Sequence, residues 1–165
     1  MMRISRCVSF LRRFTAAQEG VSLVEFTLLL PLLLWLLGGF VEFGRILHHH
    51  QVIEKQMRAT ARYLARVPDI TAATPQARNL ALYGSLNAGT IPLISYWTDP
   101  DKVVIVGPTD VTVVTNPTTS ASFTVQKIVV ETAVDYQDIG LLRLLRLPTN
   151  IITLRARHEE PYIGE

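Results

Sequence analysis

Residues 21–41, VSLVEFTLLLPLLLWLLGGFV, carry a single charge, Glu25, and from Phe26 onward are almost purely apolar. An α-helix needs roughly 20 apolar residues to cross the hydrocarbon core of a bilayer, at about 1.5 Å per residue. Core helices of soluble domains are shorter and keep a polar face, so this run reads as a membrane helix. Pro31 does not oppose that reading, because neighbouring groups can satisfy the carbonyl it leaves free in lipid. Gly38-Gly39 would suit close helix contact but does not complete a GxxxG motif.

The membrane run limits what the remaining chain can be. Of 165 residues, a leader of about 20 and a span of about 21 leave some 120, enough for one small domain. The net charge is only +2, and the arginines are spread along the chain. No basic face interleaved with aromatics emerges, so nothing points to a nucleic-acid partner. The single cysteine, Cys7, lies in the N-terminal segment, so the folded domain cannot hold an internal disulfide. That is compatible with an extracytoplasmic address without arguing for it.

Before the run, Arg3, Arg6, Arg12 and Arg13 face one acid, Glu19. A basic flank of this kind stays in the cytoplasm. Arg45, Lys55, Arg58 and Arg62 follow the run closely, but long domains translocate largely regardless of charge, so the expected orientation is N-terminus in, C-terminus out. The apolar run is too long for a conventional secretory signal, and no small-residue cleavage site follows it. Gly20 stands just before it instead, with Glu25 five positions later. An ionisable group in a membrane helix costs at least about 2.5 kcal/mol on insertion scales. If a peptidase cut after Gly20, the new α-amino group of Val21 could pair with Glu25, one helical turn on or in a neighbouring subunit. Alternatively Glu25 sits at the interfacial edge and reaches water. Spacing alone leaves both open.

The stretch FTAAQEGVSLVEFTLLLPLLL followed by GGFVEFGR resembles the leader and stalk of type IV pilin-like proteins. Within these it is most similar to the TadE-like minor pseudopilins of tight-adherence (Flp-type) pilus systems. In that family a Glu-Phe pair follows the cleavage site, an apolar-Pro-Leu-Leu run comes next, and Glu-Phe-Gly closes the membrane segment. Residues 14–66 carry the resemblance. It implies that Gly20 and Val21 flank the bond cut by a prepilin peptidase. It makes Glu25 the glutamate of leader recognition and assembly, with Phe26 completing the pair. The implied partners are the membrane, the prepilin peptidase, and other pilins or pseudopilins through the N-terminal helix. The implied location is the bacterial inner membrane, single-pass, with the N-terminus cytoplasmic and the C-terminal domain periplasmic, or the pilus itself.

Beyond the span the helix is expected to continue. Phe43, Ile46, His50, Ile53, Met57, Thr60 and Leu64 recur at steps of three and four, with most charges off that stripe. This is an apolar helical face or a coiled-coil seam. From residue 21 to 66 such a helix would run about 69 Å, ending at Val67-Pro68-Asp69, where the proline disfavours helical geometry in the residue before it. The resemblance likewise implies a long stalk carrying a head. His48-His49-His50 invites a metal reading, but consecutive helical residues point about 100° apart and cannot converge on one ion. They read as a juxtamembrane polar cluster able to titrate near neutral pH.

Thr74-Pro75 reads as a helix start, with a short helix over 75–83 stopped by Gly84. From residue 91 the chain is rich in Val, Ile and Thr between Pro, Gly, Asn and Asp. Strands are expected over 91–96, 102–106, 110–115, 122–135 and 150–157, with Pro108 and Asn116-Pro117 at hairpin turns. Within 122–135 the even-numbered face is the more apolar. Residues 140–148, GLLRLLRLP, form an apolar insert that would pack under the sheet or touch membrane or partner.

No Walker A, GxGxxG, nucleophile elbow or HExxH is present. Asp99, Asp101 and Asp110 flank turns, where Asp is favoured for its own backbone bonding. The expectation is therefore a non-enzymatic protein with no cofactor, no metal and no small-molecule substrate. Its fold class is α+β: a long N-terminal hydrophobic, transmembrane helix continues into a stalk helix packed against a small, mainly antiparallel β-sheet. The expected domains are a basic leader (1–20), a transmembrane helix (21–41), a stalk helix (42–66) and an extracytoplasmic head (67–165). The functional expectation is a minor pseudopilin. The alternative is an uncleaved single-pass protein whose outer domain binds an envelope partner or ligand.

Overall fold

The computed structural model describes residues 18–116, 121–140, 143 and 152–164. Residues 1–17, with Cys7 and most of the expected leader (1–20), lie outside the described residues, as do Pro117 and nearly all of the 140–148 insert. The chain divides after Glu42 into two compact units.

The first unit is helical throughout its described residues. Helix α1, Gln18–Leu64, begins here and passes without interruption into the second unit. Its side chains from Val21 to Leu37 are all exposed, and Pro31 stands inside the helix without ending it. Over Val21–Leu64 the chain is long and apolar enough to cross a membrane, and none of its most apolar stretch is buried against protein. A core helix of a soluble protein would be covered; this one is bare. Glu42 ends the unit with its side chain buried.

The second unit is an α+β fold. The α1 stripe reappears as Ile53, Met57, Thr60, Ala61 and Leu64, all fully buried. They pack into one core with the second helix and the sheet. The stalk's apolar stripe from Ile53 onward is thus covered by the chain's own head. Helix α1 stops at Leu64, two residues before the expected end at residue 66.

Helix α2, Ile70–Tyr83, starts earlier than Thr74-Pro75 suggests. The Asp69 carboxylate accepts from the Ala72 amide at 3.0 Å and so satisfies one of the donors that a helix start leaves open. Pro75 falls inside the helix, near enough its start that little of the hydrogen-bond ladder is lost. Gly84, at φ 71°, closes the helix in the left-handed conformation that glycine adopts without strain. Ala73, Ala77 and Ala81, each one turn apart, are buried, and their small side chains let the helix lie close to its neighbours.

Residues 91–96 are not a strand. Pro92 lacks a ladder donor, and the loop turns inward instead, with Leu93 N–H donating to Leu82 O and Trp97 N–H to Ile94 O, both at 2.9 Å. Ile94 and Trp97 are thereby driven into the core. A 3-10 turn, Pro100–Lys102, leads into the sheet.

Strands β1 (Val103–Asn116), β2 (Ala121–Asp135) and β3 (Thr153–Pro161) form an antiparallel sheet of order β1-β2-β3. The two strands expected over 102–106 and 110–115 are one. Instead of a hairpin at Pro108, the register shifts between Val106 and Thr109. Gly107 takes φ 130°, and a Cβ there would lie 2.8 Å from Lys127 O. Glycine lets the strand absorb an extra residue as a bulge and continue. The even face of β2, with Ile128, Val130, Thr132 and Val134, is buried as expected; Val129 on the other face is largely covered too. After β3 the Ile163 amide donates to Ala65 O at 2.9 Å, tying the C-terminal segment to the end of α1.

Candidate functional site

Gly20, Val21, Glu25 and Phe26 all lie on α1, in the first unit. Val21 and Phe26 are more than half exposed, and Glu25 is exposed as well. Val21 and Glu25, four residues apart, share a face of the helix, while Phe26 points about 100° away from Glu25. Among the described residues Glu25 has no ion-pair partner. A local side-chain hydrogen bond runs from the Thr27 hydroxyl to Leu23 O at 2.7 Å. An acid on a bare apolar helix cannot bind or turn over a substrate alone. It can offer one charge and a wide apolar surface to lipid or to other helices.

The second unit carries a polar and aromatic knot that sequence reading did not assemble. His49 Nδ1 lies 2.6 Å from the Tyr96 hydroxyl. The rings of Tyr96 and Tyr136 meet edge to face with centroids 5.9 Å apart, and His49 stands 6.0 Å from Tyr136. The Arg45 guanidinium lies 5.8 Å from the Tyr136 ring centroid, within cation–π range. The three histidines have different neighbours: His49 joins this knot, and His50 lies 3.9 Å from Glu54, while His48 is exposed. The partners come from residues 47 and 87 positions beyond His49, in a loop and at the end of β2. No local spacing could signal such a contact.

A second polar group joins the end of α1 to β3. Glu160 Oε1 accepts from His158 at 3.0 Å and from Arg62 at 3.3 Å. The His158 hydrogen bond, helped by Arg62, holds the Glu160 carboxyl below its ordinary range against the opposing effect of burial. On the outer sheet face Glu159 accepts from Lys127 and Arg157, both at 2.7 Å. Lys127 first, then Arg157, likewise lower its carboxyl. These are structural ion pairs on exposed or half-exposed surface. They bring no nucleophile next to a base.

Residues 20–62 match the family model described as TadE-like protein. The match covers the bare apolar part of α1, including Gly20, Glu25 and Phe26, and continues along the stalk to Arg62. No curated protein and no solved structure matches the chain.

Proposed function

We propose, on the premise that this is a TadE-like protein, that it acts as a minor pseudopilin in assembling or initiating a tight-adherence (Flp-type) pilus or a related secretion apparatus. The observation that carries this reading is the coincidence of three features on one helix. The family match begins at Gly20, the apolar surface beyond it is uncovered among the described residues, and the one charge within it, Glu25, has no ion-pair partner among those residues. A prepilin peptidase cuts between Gly20 and Val21 after recognising the leader through Glu25 and Phe26. The freed α-amino group then pairs with Glu25, in the same helix or in a neighbour's, and partly offsets the cost of holding an acid in lipid. Residues 1–20 are the leader, 21–41 the membrane helix, 42–66 the stalk and 67–165 the head. The N-terminus faces the cytoplasm, and the head lies in the periplasm or on the fibre. The role is structural: packing of stalk helices drives it, and no cofactor or substrate enters.

The deciding experiment is the intact mass and N-terminal sequence of the protein recovered from its native membrane. An N-terminus at Val21, lost on deletion of the peptidase or on Gly20→Leu, is the expected result. A start at Met1 or Met2 beside an active peptidase would overturn it and favour an uncleaved, membrane-tethered binding domain.

A further inference from the structure

Helix α1 passes from the apolar run into the head without a break. Ile46, soon after Val41 in the chain, already packs against the head's core. The Arg45 guanidinium lies 5.8 Å from the Tyr136 ring centroid. Between Val41 and Arg45 the helix advances about 6 Å, and headgroups add roughly 5–7 Å to each side of a bilayer's hydrocarbon core. The head therefore begins where the headgroups do, with no spacer to lift it clear.

The sheet brings a second segment to the same level. Toward the C-terminal end of α1, Arg62 meets Glu160, and Glu160 stands opposite Ile128 of β2. Lower on the helix, Arg45 and His49 meet Tyr136, the residue after β2. From Ile128 to Tyr136 the chain advances about 26 Å at 3.3 Å per residue. Between Arg62 and Arg45 the helix covers about 26 Å as well, at 1.5 Å per residue. The two lengths agree, so β2 runs alongside α1 in the opposite direction, and the chain leaves the sheet heading back toward Phe43. Ile139 follows shortly after, 54 % exposed. On α1 itself Phe43 and Leu47, one turn apart, are 58 % and 47 % exposed. Two segments far apart in the chain thus present large uncovered apolar side chains at one end of the head.

We propose that Phe43, Leu47 and Ile139 form a lipid-contact surface that seats this end of the head in the headgroup layer. The apolar helix already makes the membrane the neighbour here, and the surface continues that contact onto the head. A bilayer interface takes apolar side chains inward while their polar neighbours stay in the headgroups. Arg45, Asp138 and the exposed His48 and Gln137 supply those neighbours. Because Arg45 and Asp138 are of opposite sign, the contact is driven by apolar burial and needs no anionic lipid. The seat depends on the membrane helix and not on cleavage after Gly20.

The test uses the full chain carrying Cys7→Ser in phosphatidylcholine vesicles, diluted so that a vesicle rarely holds two copies. One cysteine is returned at a time and labelled with the fluorophore NBD, and flotation with the vesicles checks the membrane helix separately. Ile139→Cys is the decisive position and Leu47→Cys reports the helix. Thr124→Cys is the control, exposed and outside the rows that pair with β3, about 40 Å along β2 from Tyr136. Lipid bearing a nitroxide on its headgroup should lower emission at Ile139 and Leu47 about twofold or more, since side chains seated at an interface lie among the headgroups. The Thr124 label should be unaffected. Quenching should persist at high salt, because salt screens charge and not apolar burial. Emission at Ile139 matching that at Thr124 in floated protein would overturn the proposal. Quenching lost in salt would also overturn it, assigning the contact to charge. So would a label at Ile139 that is shielded only as copies per vesicle rise, assigning this end to a second copy. Protein that fails to float would refute the membrane helix and the seat with it.

Discussion

Met57→Ala separates two meanings of the apolar stripe on α1. If the stripe beyond the membrane were a coiled-coil seam between subunits, truncating Met57 would weaken assembly and leave the isolated head as stable as before. The structure buries Met57 completely within its own chain, in one core with Ile53, Ala77, Ile128 and Val130. Removing the side chain beyond Cβ loses its transfer free energy and leaves a cavity among helices and a sheet that cannot all close in. Such changes cost about 2–5 kcal/mol, and a fully enclosed site belongs in the middle of that range, near 3 kcal/mol. With a urea slope of about 1.5–2 kcal/mol per molar for a domain of this size, the midpoint should fall by roughly 1.5–2 M. The two tryptophans, Trp35 and Trp97, supply the assay. Trp35 is on the bare part of α1, and Trp97 is fully buried in the head. In a Trp35→Phe background the emission of Trp97 therefore reports unfolding of the head alone, with the full chain held in micelles. Leu36→Ala, at a position 56 % exposed on the apolar helix, serves as the control and should leave the midpoint in place. A shift below about 0.5 M for Met57→Ala, with assembly lost, would refute the reasoning and return the stripe to an intermolecular role.

Gly107→Ala should destabilise the head by about 1–3 kcal/mol in the same assay, because the new Cβ meets Lys127 O at 2.8 Å at a backbone angle suited to glycine; an unchanged midpoint would mean the bulge is not held as described. Glu160 titrates below its ordinary range, so its contribution is fully present above about pH 4.3 and is lost as pH falls through the lower folded value. Glu160→Gln should therefore lower the midpoint at neutral pH and flatten its decline below pH 4, and an identical acid decline in both proteins would contradict the assignment. Under the pseudopilin reading Glu25→Ala should abolish incorporation into the assembly while leaving Trp97 unfolding unchanged, as seen by membrane fractionation and the urea curve. Normal incorporation would remove Glu25 from the assembly role.

Periodicity made the membrane helix, the stalk stripe and the buried even face of β2 legible without coordinates, because each is a local pattern repeated along one element. The motif around Gly20, Glu25 and Phe26 resembles the TadE-like family as linear sequence, and the family model matches there over residues 20–62 without any reference to geometry. What remained hidden depends on which distant residues supply a partner. The strand expected over 91–96 became an inward loop because Pro92 withdraws a donor and the core needs Ile94 and Trp97. The two strands around Pro108 became one because Gly107 reaches a backbone angle that turns a hairpin signal into a bulge. Asp69 displaced Thr74 as the helix cap through a contact that competes within a few residues, where local rules give several answers. His49 met Tyr96 and Tyr136 only once the packing of α1 against the loop and the end of β2 was set. The amino-acid sequence determined the elements and their apolar faces through the 3.6- and 2-residue repeats of the backbone. Only the tertiary structure decided which of those faces cover each other, because burial is shared among segments far apart in the chain and no local pattern encodes the choice.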